Sequence, residues 1–327
     1  MKTGLPGGTA APAEPSVLDP SVLAFDVGGT DTKAGILQGP IGPGAVTVTD
    51  LRRLPTPRDP VRPGEAVVDR LAQLAEEYRA AHPRVGIAAV GLTVPGLVDE
   101  AAGTGILSAN LGWENYPFAQ RLSARLDLPV AFGHDVGMAG EAEFRIGAAR
   151  GGSDVIVLVI GTGIAAAVFT DGRRVAGGGF AGELGHALVP AADGSLQVLE
   201  AVGSAGALAS RYADAAGKQS DDGARGVLRL AHGGDATARQ VWAEALDALA
   251  FTISQCVSIL GTETVVLGGG LAEAGDELFV PLAARLDRLL TFHRRPVLVR
   301  AELGQNAGLI GSALKARDLL AARKAPA

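Results

Sequence analysis

Apolar residues along the chain form short runs of strand length that alternate with longer stretches of helical spacing. The runs at 22–25 and 34–37 flank a polar turn, which is the pattern of two consecutive strands. An amphipathic helical stripe follows at Val67, Leu71, Leu74 and Tyr78. Further strands are predicted at 85–92, 128–132, 155–160, 164–169, 264–267 and 297–300, and further helices at 116–126, 138–144, 235–260 and 307–322. Because strands alternate with helices, the predicted class is α/β.

The chain also contains a crude internal repeat. A strand, a Gly/Thr turn and a second strand occur at 24–37 and again at 157–169, and each is followed by further helices and strands. Two such hairpins can arise by chance in a glycine-rich chain, whereas a duplicated unit predicts two similar α/β domains that face a cleft. The corresponding division is a flexible leader at 1–21, a smaller N-terminal domain at 22–133 completed by a C-terminal helix at about 312–327, and a larger domain at 134–311.

Composition narrows the class of protein. The 327 residues include 46 Gly without a Gly-X-Y period, and 47% are apolar, which excludes a collagen-like and a disordered chain. Cys256 is the single cysteine, so neither an intrachain disulfide nor a multi-cysteine zinc site can form. The net charge of −6, from 29 basic and 35 acidic residues, argues against a nucleic-acid-binding surface. A glycine-rich globular protein of a reducing compartment is the remaining class.

The N-terminus and the apolar runs bear on localisation. Residues 1–20 are rich in Pro, Gly and Ala and lack the apolar core of a signal peptide, so a flexible leader is predicted. The chain has no uninterrupted apolar stretch of the roughly 18 residues that a membrane span requires, and we expect no span. These observations predict a cytoplasmic protein.

Three glycine turns, each at the end of a predicted strand, are candidate phosphate-binding loops. Glycine lets the backbone approach a ligand closely, and consecutive N–H groups form an anion-binding concavity. The residues of these turns are Asp26, Gly28, Gly29, Thr30, Thr32 and Lys33 in the first, Gly161, Thr162 and Gly163 in the second, and Gly268, Gly269 and Gly270 in the third. One such turn is equally compatible with an ordinary hairpin. Three strand ends that meet at one α/β crevice favour phosphate or nucleotide binding.

Side chains strengthen the case for the first turn. Thr30 and Thr32 add hydroxyl donors, Lys33 adds a positive charge, and Asp26 is placed to hold a water or Mg²⁺ beside the phosphates. The turn matches neither the GxxxxGK[ST] nor the GxGxxG pattern, so it is not a P-loop or a Rossmann fingerprint. The third turn lies between a strand and a helix, where a positive helix end favours anions.

Two polar clusters are candidates for chemistry on a hydroxylated substrate. Asp135 follows a predicted strand and opens a helix, so it is either a helix N-cap or the general base for phosphoryl transfer to an alcohol, and the two roles are compatible. Glu183 and His186 lie three residues apart and can either ligate a metal or hydrogen-bond a polyhydroxylated ligand. Glu200 adds a carboxylate, for which the alternative is an exposed position on a helix that starts near Leu196.

In this order the motifs resemble the ROK family (repressors, open reading frames and sugar kinases) over about 23–320. The residues that carry the resemblance are Asp26-Val-Gly-Gly-Thr30 with Lys33, Val94-Pro-Gly96, Asn110-Leu-Gly-Trp113, Asp135 with Gly140-Glu141, Gly161-Thr-Gly163, Gly182-Glu-x-Gly-His186, Leu199-Glu200 and Gly268-Gly-Gly270. The combination is specific, although no single motif is. The resemblance implies the actin-like (ribonuclease H-like) ATPase fold, in which two α/β domains close over a sugar and ATP.

The resemblance also implies roles for single residues. Asp135 corresponds to the catalytic base that takes the proton of the sugar hydroxyl. The turns at Asp26 and Gly161 correspond to the two phosphate loops and the turn at Gly268 to the adenosine side, with ATP as cofactor and Mg²⁺ bound through ATP near Asp26. The residues implied to bind the sugar are Asn110, His134, Asp135, Glu183, His186 and Glu200. The implied partner is a small-molecule sugar, with no nucleic acid or membrane, and the implied assembly is a homodimer.

Three departures from the family pattern bear on these roles. The interval 187–199 has no Cys where the family usually has a CxCGxxGCxE zinc segment, so His186 is expected to be held by hydrogen bonds or to bind the sugar. His134 stands where the family commonly has an Asn that contacts the sugar, which can alter the hydroxyl preference. The second phosphate loop continues with 165–167, Ala-Ala-Ala, where Gly is more usual, which adds Cβ atoms beside the phosphates.

The leading hypothesis is an ATP-dependent sugar kinase that acts on the exocyclic hydroxyl of a hexose or N-acetylhexosamine, with glucose and N-acetylglucosamine as the first candidates. A sugar-responsive repressor of the same family is disfavoured, because 25 residues with four Pro precede Asp26 where a helix-turn-helix domain would stand. A sugar-binding protein that has lost catalysis is the third hypothesis, suggested by the missing zinc segment and by His134.

We expect the purified protein to contain no stoichiometric structural zinc, because the interval 187–199 supplies no thiolate ligand. Elemental analysis of the dialysed protein measures the metal content, with a zinc-finger protein of known stoichiometry as the control. One equivalent of zinc per chain would contradict the prediction.

Overall fold

Two five-stranded sheets organise residues 20–324, the part of the chain that the computed structural model describes. Most of the predicted leader and the end of the predicted C-terminal helix lie outside these residues. The strands are β1 (Ser21–Val27), β2 (Asp31–Gly42), β3 (Ala45–Pro55), β4 (Ile87–Val94), β5 (Leu97–Asp99), β6 (Thr104–Leu107), β7 (Glu114–Tyr116), β8 (Val130–His134), β9 (Val155–Ile160), β10 (Ile164–Thr170), β11 (Arg173–Arg174), β12 (Leu188–Pro190), β13 (Leu196–Val198), β14 (Thr264–Gly268) and β15 (Val297–Arg300).

Helices cover the faces of these sheets. The α-helices are α1 (Pro63–Ala81), α2 (Phe118–Leu126), α3 (Asp135–Ile146), α4 (Leu199–Gly203), α5 (Ala205–Ala216), α6 (Gly223–His232), α7 (Ala236–Leu260), α8 (Asp276–Leu289) and α9 (Ala307–Lys324). Short 3₁₀ segments lie at Gly177–Gly179, Leu184–His186, Gly270–Ala274 and Gly304–Asn306.

The two large sheets share one topology. The first has the order β3-β2-β1-β4-β8 and the second the order β11-β10-β9-β14-β15. In each sheet the first three strands are antiparallel neighbours and the remaining pairings are parallel. The predicted internal repeat is confirmed, because each unit opens with the same antiparallel hairpin. Small sheets, β5-β6-β7 and β12-β13, are inserted between these elements.

The central strands are apolar throughout because helices cover both of their faces. Residues 22–25 of β1 are fully buried, and their side chains alternate between two clusters, one towards α1 and α2 and the other towards α9. Strand β9 alternates in the same way. Ile156, Leu158 and Ile160 face the helices of the second unit, while Val155 and Val157 face α3 through Phe169 and Phe144, whose rings stack at 4.2 Å. Helix α3 therefore packs against both large sheets.

Helix α7 has the length and mean hydropathy of a membrane span by composition alone. In the structure its apolar side chains, including Leu246, Leu249, Ile253 and Val257, are buried in the core of the second unit. Cys256 lies on the same helix, where burial raises the pKa of its thiol to about 11, so this thiol is protonated at neutral pH. The helix is thus accounted for as a core helix of the α/β unit.

Some predicted boundaries were wrong for local reasons. The helix predicted at 116–126 is divided into β7 and α2, because a residue before proline disfavours the helical region and Tyr116 precedes Pro117. The helix predicted from near Leu196 begins at Leu199, after the strand β13. Asp235 caps α7 as an acceptor for the N–H of Ala238 at 3.0 Å, in agreement with the predicted helix start.

The backbone of helix α9 lies in direct contact with the backbones of α3 and β4. A Cβ on Gly311 would overlap the carbonyl oxygen of Met138 in α3, and a Cβ on Gly91 in β4 would overlap the carbonyl oxygen of Ser312 in α9. A Cβ on Gly308 would lie 2.8 Å from Oδ1 of Asp26. Glycine at these positions lets one helix touch α3, the first sheet and the end of β1 together.

A buried carboxylate ties α3 to the segment that enters α9. Glu143, 1% exposed, accepts the N–H of Leu303 on Oε1 at 2.8 Å, and on Oε2 it accepts those of Ala148 at 2.9 Å and Glu302 at 3.2 Å. A carboxylate is an acceptor on both oxygens, so three backbone donors suit it without a cationic partner. We call Glu143 with these donors the Glu143 clasp.

Substitution of Gly311 by Ala should destabilise the protein by about 2 kcal/mol, because overpacking against backbone outweighs the gain in helix propensity. Urea unfolding measures the change. Gly86→Ala is the matched control, since a Cβ there meets open space, and it should leave the free energy of unfolding nearly unchanged. Equal stability of Gly311→Ala and the parent would show that α9 can move away from α3.

Glu143→Gln should lower the free energy of unfolding by about 2 kcal/mol, because an amide nitrogen replaces one acceptor oxygen and leaves a buried N–H unpaired. The control is Glu141→Gln on the same helix, where the carboxylate is partly exposed and 3.7 Å from Nε of Arg174. Thermal unfolding followed by circular dichroism compares the two. A similar effect of both substitutions would argue against the clasp.

Candidate active site

A cleft of about 460 Å³ lies between the two large sheets. It brings together residues that are far apart in the sequence and that were predicted as site residues, namely Asp26, Lys33, Asp135, Gly268, Gly269 and Gly270. Lining residues that the sequence analysis did not identify include Glu143, Arg225, Arg300, Gln305 and Gly308. The ends of β1 and β14, the start of α3 and the segment entering α9 thus form one site.

Asp26 is held in place at the end of β1. Its Oδ2 is 3.2 Å from Nζ of Lys33, the residue paired with it on β2, and its Oδ1 accepts the hydroxyl of Thr93 at 3.0 Å. Lys33 also donates to the carbonyl of Gln305 at 2.5 Å. The predicted phosphate-binding charge of Lys33 is therefore already paired with Asp26, and it ties the first turn to the segment entering α9.

The first turn is closed by its own backbone and by a pair of threonines. The N–H of Gly28 donates to the carbonyl of Asp31 at 2.9 Å, and the hydroxyl of Thr56 donates to the carbonyl of Gly28 at 2.7 Å. Thr32 is fully buried, with its hydroxyl 3.0 Å from that of Thr56, whereas Thr30 is exposed. Thr32 thus supports the turn from behind, and only Thr30 presents a hydroxyl at the surface.

An arginine connects the first turn to the loop of Asn110. Arg58 donates to the carbonyl of Gly29 at 2.8 Å and to the carbonyl of Asn110 at 3.1 Å. A Cβ on Gly29 would lie 2.5 Å from Nδ2 of Asn110, so glycine makes room for that amide. Arg58 was not predicted as a site residue, because it binds backbone carbonyl groups, which every residue has and which give no motif in the sequence.

The second turn contacts Glu200, and its residues Gly161, Thr162 and Gly163 are not among those that line the cleft. Oε2 of Glu200 accepts the N–H of Ile164 at 3.4 Å and would lie 2.9 Å from a Cβ on Gly163. Glu200 is half-buried on α4, so the alternative of a solvent-exposed helix position is wrong. Gly161, next to Ile160, is partly exposed, and Thr162 and Gly163 are exposed at the tip of the turn.

The third turn differs from its prediction in one respect. Gly268 is the last residue of β14, and Gly270 opens a 3₁₀ segment, while α8 begins at Asp276. No α-helix therefore starts directly at this turn, and its donors are the N–H groups of the turn itself. Gly269 has a φ of +81°, and a Cβ on it would collide with the carbonyl of Ile160, so the turn requires glycine there.

Asp135 is the first residue of α3 rather than its N-cap. The cap is His134, whose Nδ1 accepts the N–H of Gly137 at 3.3 Å. Oδ1 of Asp135 accepts the N–H of Val136 at 2.7 Å and lies 3.0 Å from Nε2 of His134. The N-cap alternative for Asp135 is thus wrong, and its carboxylate, with 26% of the side chain exposed, faces the cleft.

The surroundings of Asp135 make it a stronger base than an ordinary carboxylate. Burial raises the pKa of Asp135, and the negative charges of Asp26 and Glu183 raise it further, while the nearby His134 opposes them. A raised pKa is the property expected of a general base that must hold a proton transiently.

The predicted sugar-binding cluster is partly assembled around His134. Oε1 of Glu183 lies 3.9 Å from Nε2 of His134, so Glu183 and Asp135 share one imidazole as neighbour. Glu183 immediately precedes the 3₁₀ segment Leu184–His186, and His186 is exposed at the end of that segment.

Within residues 20–324, no group of three or more His, Cys, Asp or Glu side chains is arranged to hold a metal ion. The hairpin of β12 and β13 fills most of the interval 187–199.

Comparison with known proteins identifies the family. The ROK family model matches residues 22–318. The chain is 33% identical over 297 residues to the bifunctional enzyme NanE/NanK of Brucella melitensis, which covers 89% of this chain and 53% of that protein. It is 29% identical over 321 residues to a glucokinase of Streptomyces coelicolor, which covers 90% of this chain and 97% of the relative. The chain thus spans about half the length of NanE/NanK.

Solved structures agree with this family. A ROK family glucokinase from Streptomyces griseus in complex with glucose and AMPPNP superimposes with a TM-score of 0.74 at 25% identity, over 91% of this chain and 99% of that one. The predicted actin-like ATPase fold of two α/β domains is confirmed. With the family model matched from residue 22 to residue 318, the chain belongs to the ROK family.

Proposed function

We propose that the protein is an ATP-dependent kinase that phosphorylates the exocyclic hydroxyl of a hexose or N-acetylhexosamine. The observation that carries the proposal is the position of Asp135, which lies in the cleft that the third glycine turn lines and shares the imidazole of His134 with Glu183. A base with a raised pKa between an anion-binding wall and a polar cluster suits transfer of a phosphoryl group to an alcohol.

The residues of the cleft fit a nucleotide. Gly270 and Gly304 line the cleft, and beside each of them a Cβ would meet open space, so a ligand can approach the backbone closely there. Arg225 and Arg300 line the cleft together with the third turn, and Arg300 is paired with Glu273, which lines the cleft as well. The two arginines would supply positive charge for the donor phosphates. Asp26, which keeps free lone pairs beside its bonds to Lys33 and Thr93, would hold Mg²⁺ through water. When bound, ATP supplies the phosphoryl group and Mg²⁺ lowers the charge of its phosphates.

The transfer step requires one proton movement on the protein. Oδ2 of Asp135 takes the proton of the sugar hydroxyl as that oxygen forms a bond to the γ-phosphorus, and the bond from this phosphorus to the β-phosphate oxygen breaks to release ADP. Asn110, Glu183 and Glu200 would hydrogen-bond the other hydroxyls and thereby align the reacting one. His186 is the outermost of the proposed sugar residues, since it is exposed.

The alternatives differ in the product that they predict. A sugar-binding protein without catalysis would bind a sugar and release no ADP. A transcriptional regulator would bind DNA, for which a gel shift at modest salt is the test. The similarity to a glucokinase favours the kinase. A homodimer remains the assembly that the family resemblance implies, and a cytoplasmic location remains the prediction from the sequence.

Release of ADP in a coupled assay tests the proposed activity. The panel contains glucose, mannose, N-acetylglucosamine and N-acetylmannosamine, each with ATP and, in parallel, with polyphosphate. ADP release above the sugar-free rate with at least one of these sugars is the expected result. No turnover with any member, together with measurable sugar binding by calorimetry, would favour the catalytically impaired protein instead.

Asp135→Asn should lower kcat by about 10²- to 10⁴-fold, because an amide cannot accept the hydroxyl proton. Binding of the sugar should change little, since the side chain keeps its size and its contact with the N–H of Val136. Asp127→Asn is the matched control: Asp127 ends α2 in the left-handed region, which Asn also adopts readily, and its activity should equal that of the parent. Retained turnover in Asp135→Asn would exclude Asp135 as the base.

A further inference from the structure

We propose that His134 is a positioning residue for the catalytic carboxylate, with Nδ1 capping α3 and Nε2 carrying the hydrogen that faces Asp135. This inference rests on the proposed kinase function. It differs from the role implied by the family resemblance, in which the residue at this position binds the sugar.

The cap determines which ring nitrogen carries the hydrogen. The N–H of Gly137 donates to Nδ1 of His134 at 3.3 Å, so Nδ1 must present a lone pair. In a neutral imidazole one nitrogen is an acceptor and the other a donor, and the hydrogen therefore resides on Nε2. A backbone donor of the first turn of α3 thus selects the tautomer of the histidine that precedes it.

The hydrogen on Nε2 of His134 lies near two carboxylate oxygens. Nε2 is 3.0 Å from Oδ1 of Asp135 and 3.9 Å from Oε1 of Glu183, and the side chain is 16% exposed. The positive end of the imidazole therefore lies between the proposed base and a proposed sugar ligand. It weakens the repulsion between two carboxylates that share one small space.

The contacts of Asp135 assign different tasks to its two oxygens. Within residues 20–324, the N–H of Val136 and Nε2 of His134 both meet Oδ1. Oδ2 is then the oxygen that can face the substrate hydroxyl. Because the two neighbours lie on one side of the carboxylate, they also limit its rotation about the terminal side-chain bond.

The backbone of His134 is anchored independently of its ring. Its N–H donates to Oε1 of Glu100 at 3.3 Å, and Glu100 is paired with Arg174 of β11 at 2.5 Å and with Lys315 of α9. These groups connect the N-terminus of α3 to both sheets and to α9. The imidazole is consequently held from a rigid base, and removal of the ring leaves this network in place.

The charged groups around Asp135 set the sign of the expected effect. Asp26 and Glu183 disfavour its ionised form, and Lys33, which also lines the cleft, is paired with Asp26. His134, with Nε2 3.0 Å from Oδ1, and the N–H of Val136 both favour the ionised form. Loss of the Nε2–H of His134 should therefore keep Asp135 protonated, and inactive as a base, up to a higher pH.

His134→Asn separates the two tasks of the imidazole. The Asn side chain is a favourable N-cap and can still accept the N–H of Gly137, but it is too short to reach Asp135 as Nε2 does. His134→Ala removes both contacts. His82→Asn is the control for loss of a histidine, because His82 pairs with Asp50 at 3.0 Å on the outer side of the first sheet.

The decisive measurement is kcat/KM for the sugar against pH at saturating ATP. In His134→Asn the acid limb should move to higher pH by about one unit, because Oδ1 of Asp135 loses the polar Nε2 group at 3.0 Å. Activity on the alkaline plateau should stay within a few-fold of the parent, and His82→Asn should keep the parental limb. An active His134→Asn with the parental limb, or with a sugar KM raised equally at every pH, would overturn the proposal.

Two readouts do not depend on turnover. The protein has five His, so long-range ¹H–¹⁵N spectra can assign the ring of His134 by its loss in His134→Asn. The Nε2–H tautomer is expected, and an Nδ1–H tautomer would overturn the proposal. The ¹³C carboxyl signal that Asp135→Asn removes should titrate at higher pH in His134→Asn. If the parent phosphorylates no sugar, the proposed function fails, while these spectra still decide the role of His134.

Discussion

The site depends on the backbone contact between α3 and α9. Gly311 and Gly91 allow α9 to lie against α3 and β4 without an intervening side chain, and Glu143 binds the segment that enters α9 through three N–H groups. This contact places the N-terminus of α3, with Asp135, and the segment with Gln305 in one rigid body. A looser contact would separate Asp135 from the segment with Gln305 on the opposite side of the cleft.

The two hairpin turns occupy equivalent positions in the two units and have equivalent neighbours. The first turn touches the cleft through Asp26 and the Asn110 loop through Gly29. The second turn adjoins the third at Ile160 and contacts Glu200 through Gly163. Each turn therefore lies next to a residue that is proposed to bind the sugar, Asn110 beside the first turn and Glu200 beside the second. A duplicated α/β unit supplies this arrangement directly, because the same hairpin ends at the same edge of each sheet.

Three carboxylates, Asp26, Glu143 and Asp135, line the cleft, and their bonding partners differ. Asp26 is paired with Lys33, and Glu143 is satisfied by backbone donors. Asp135 has neither a lysine nor an arginine at bonding distance among the described residues, and its neighbours on the acidic side raise its pKa. Different environments thus give chemically identical carboxylates different tasks, one structural and one suited to proton transfer.

The order of apolar runs and glycine turns determined the α/β class and the internal repeat, because strand burial and turn geometry are local properties of the chain. It also identified a minority of the residues that line the cleft, among them Asp26, Asp135 and the third glycine turn. Periodicity misplaced some boundaries, as at Tyr116 before Pro117 and at Leu196, which belongs to β13 and not to a helix. Tertiary structure decided what each side chain does. Thr32 supports its turn from behind, Lys33 is paired with Asp26, and His134 rather than Asp135 caps α3. Arg58 and Glu143 bind backbone groups far along the chain, and such partners leave no trace in the sequence, because every residue offers the same carbonyl and nearly every residue the same N–H.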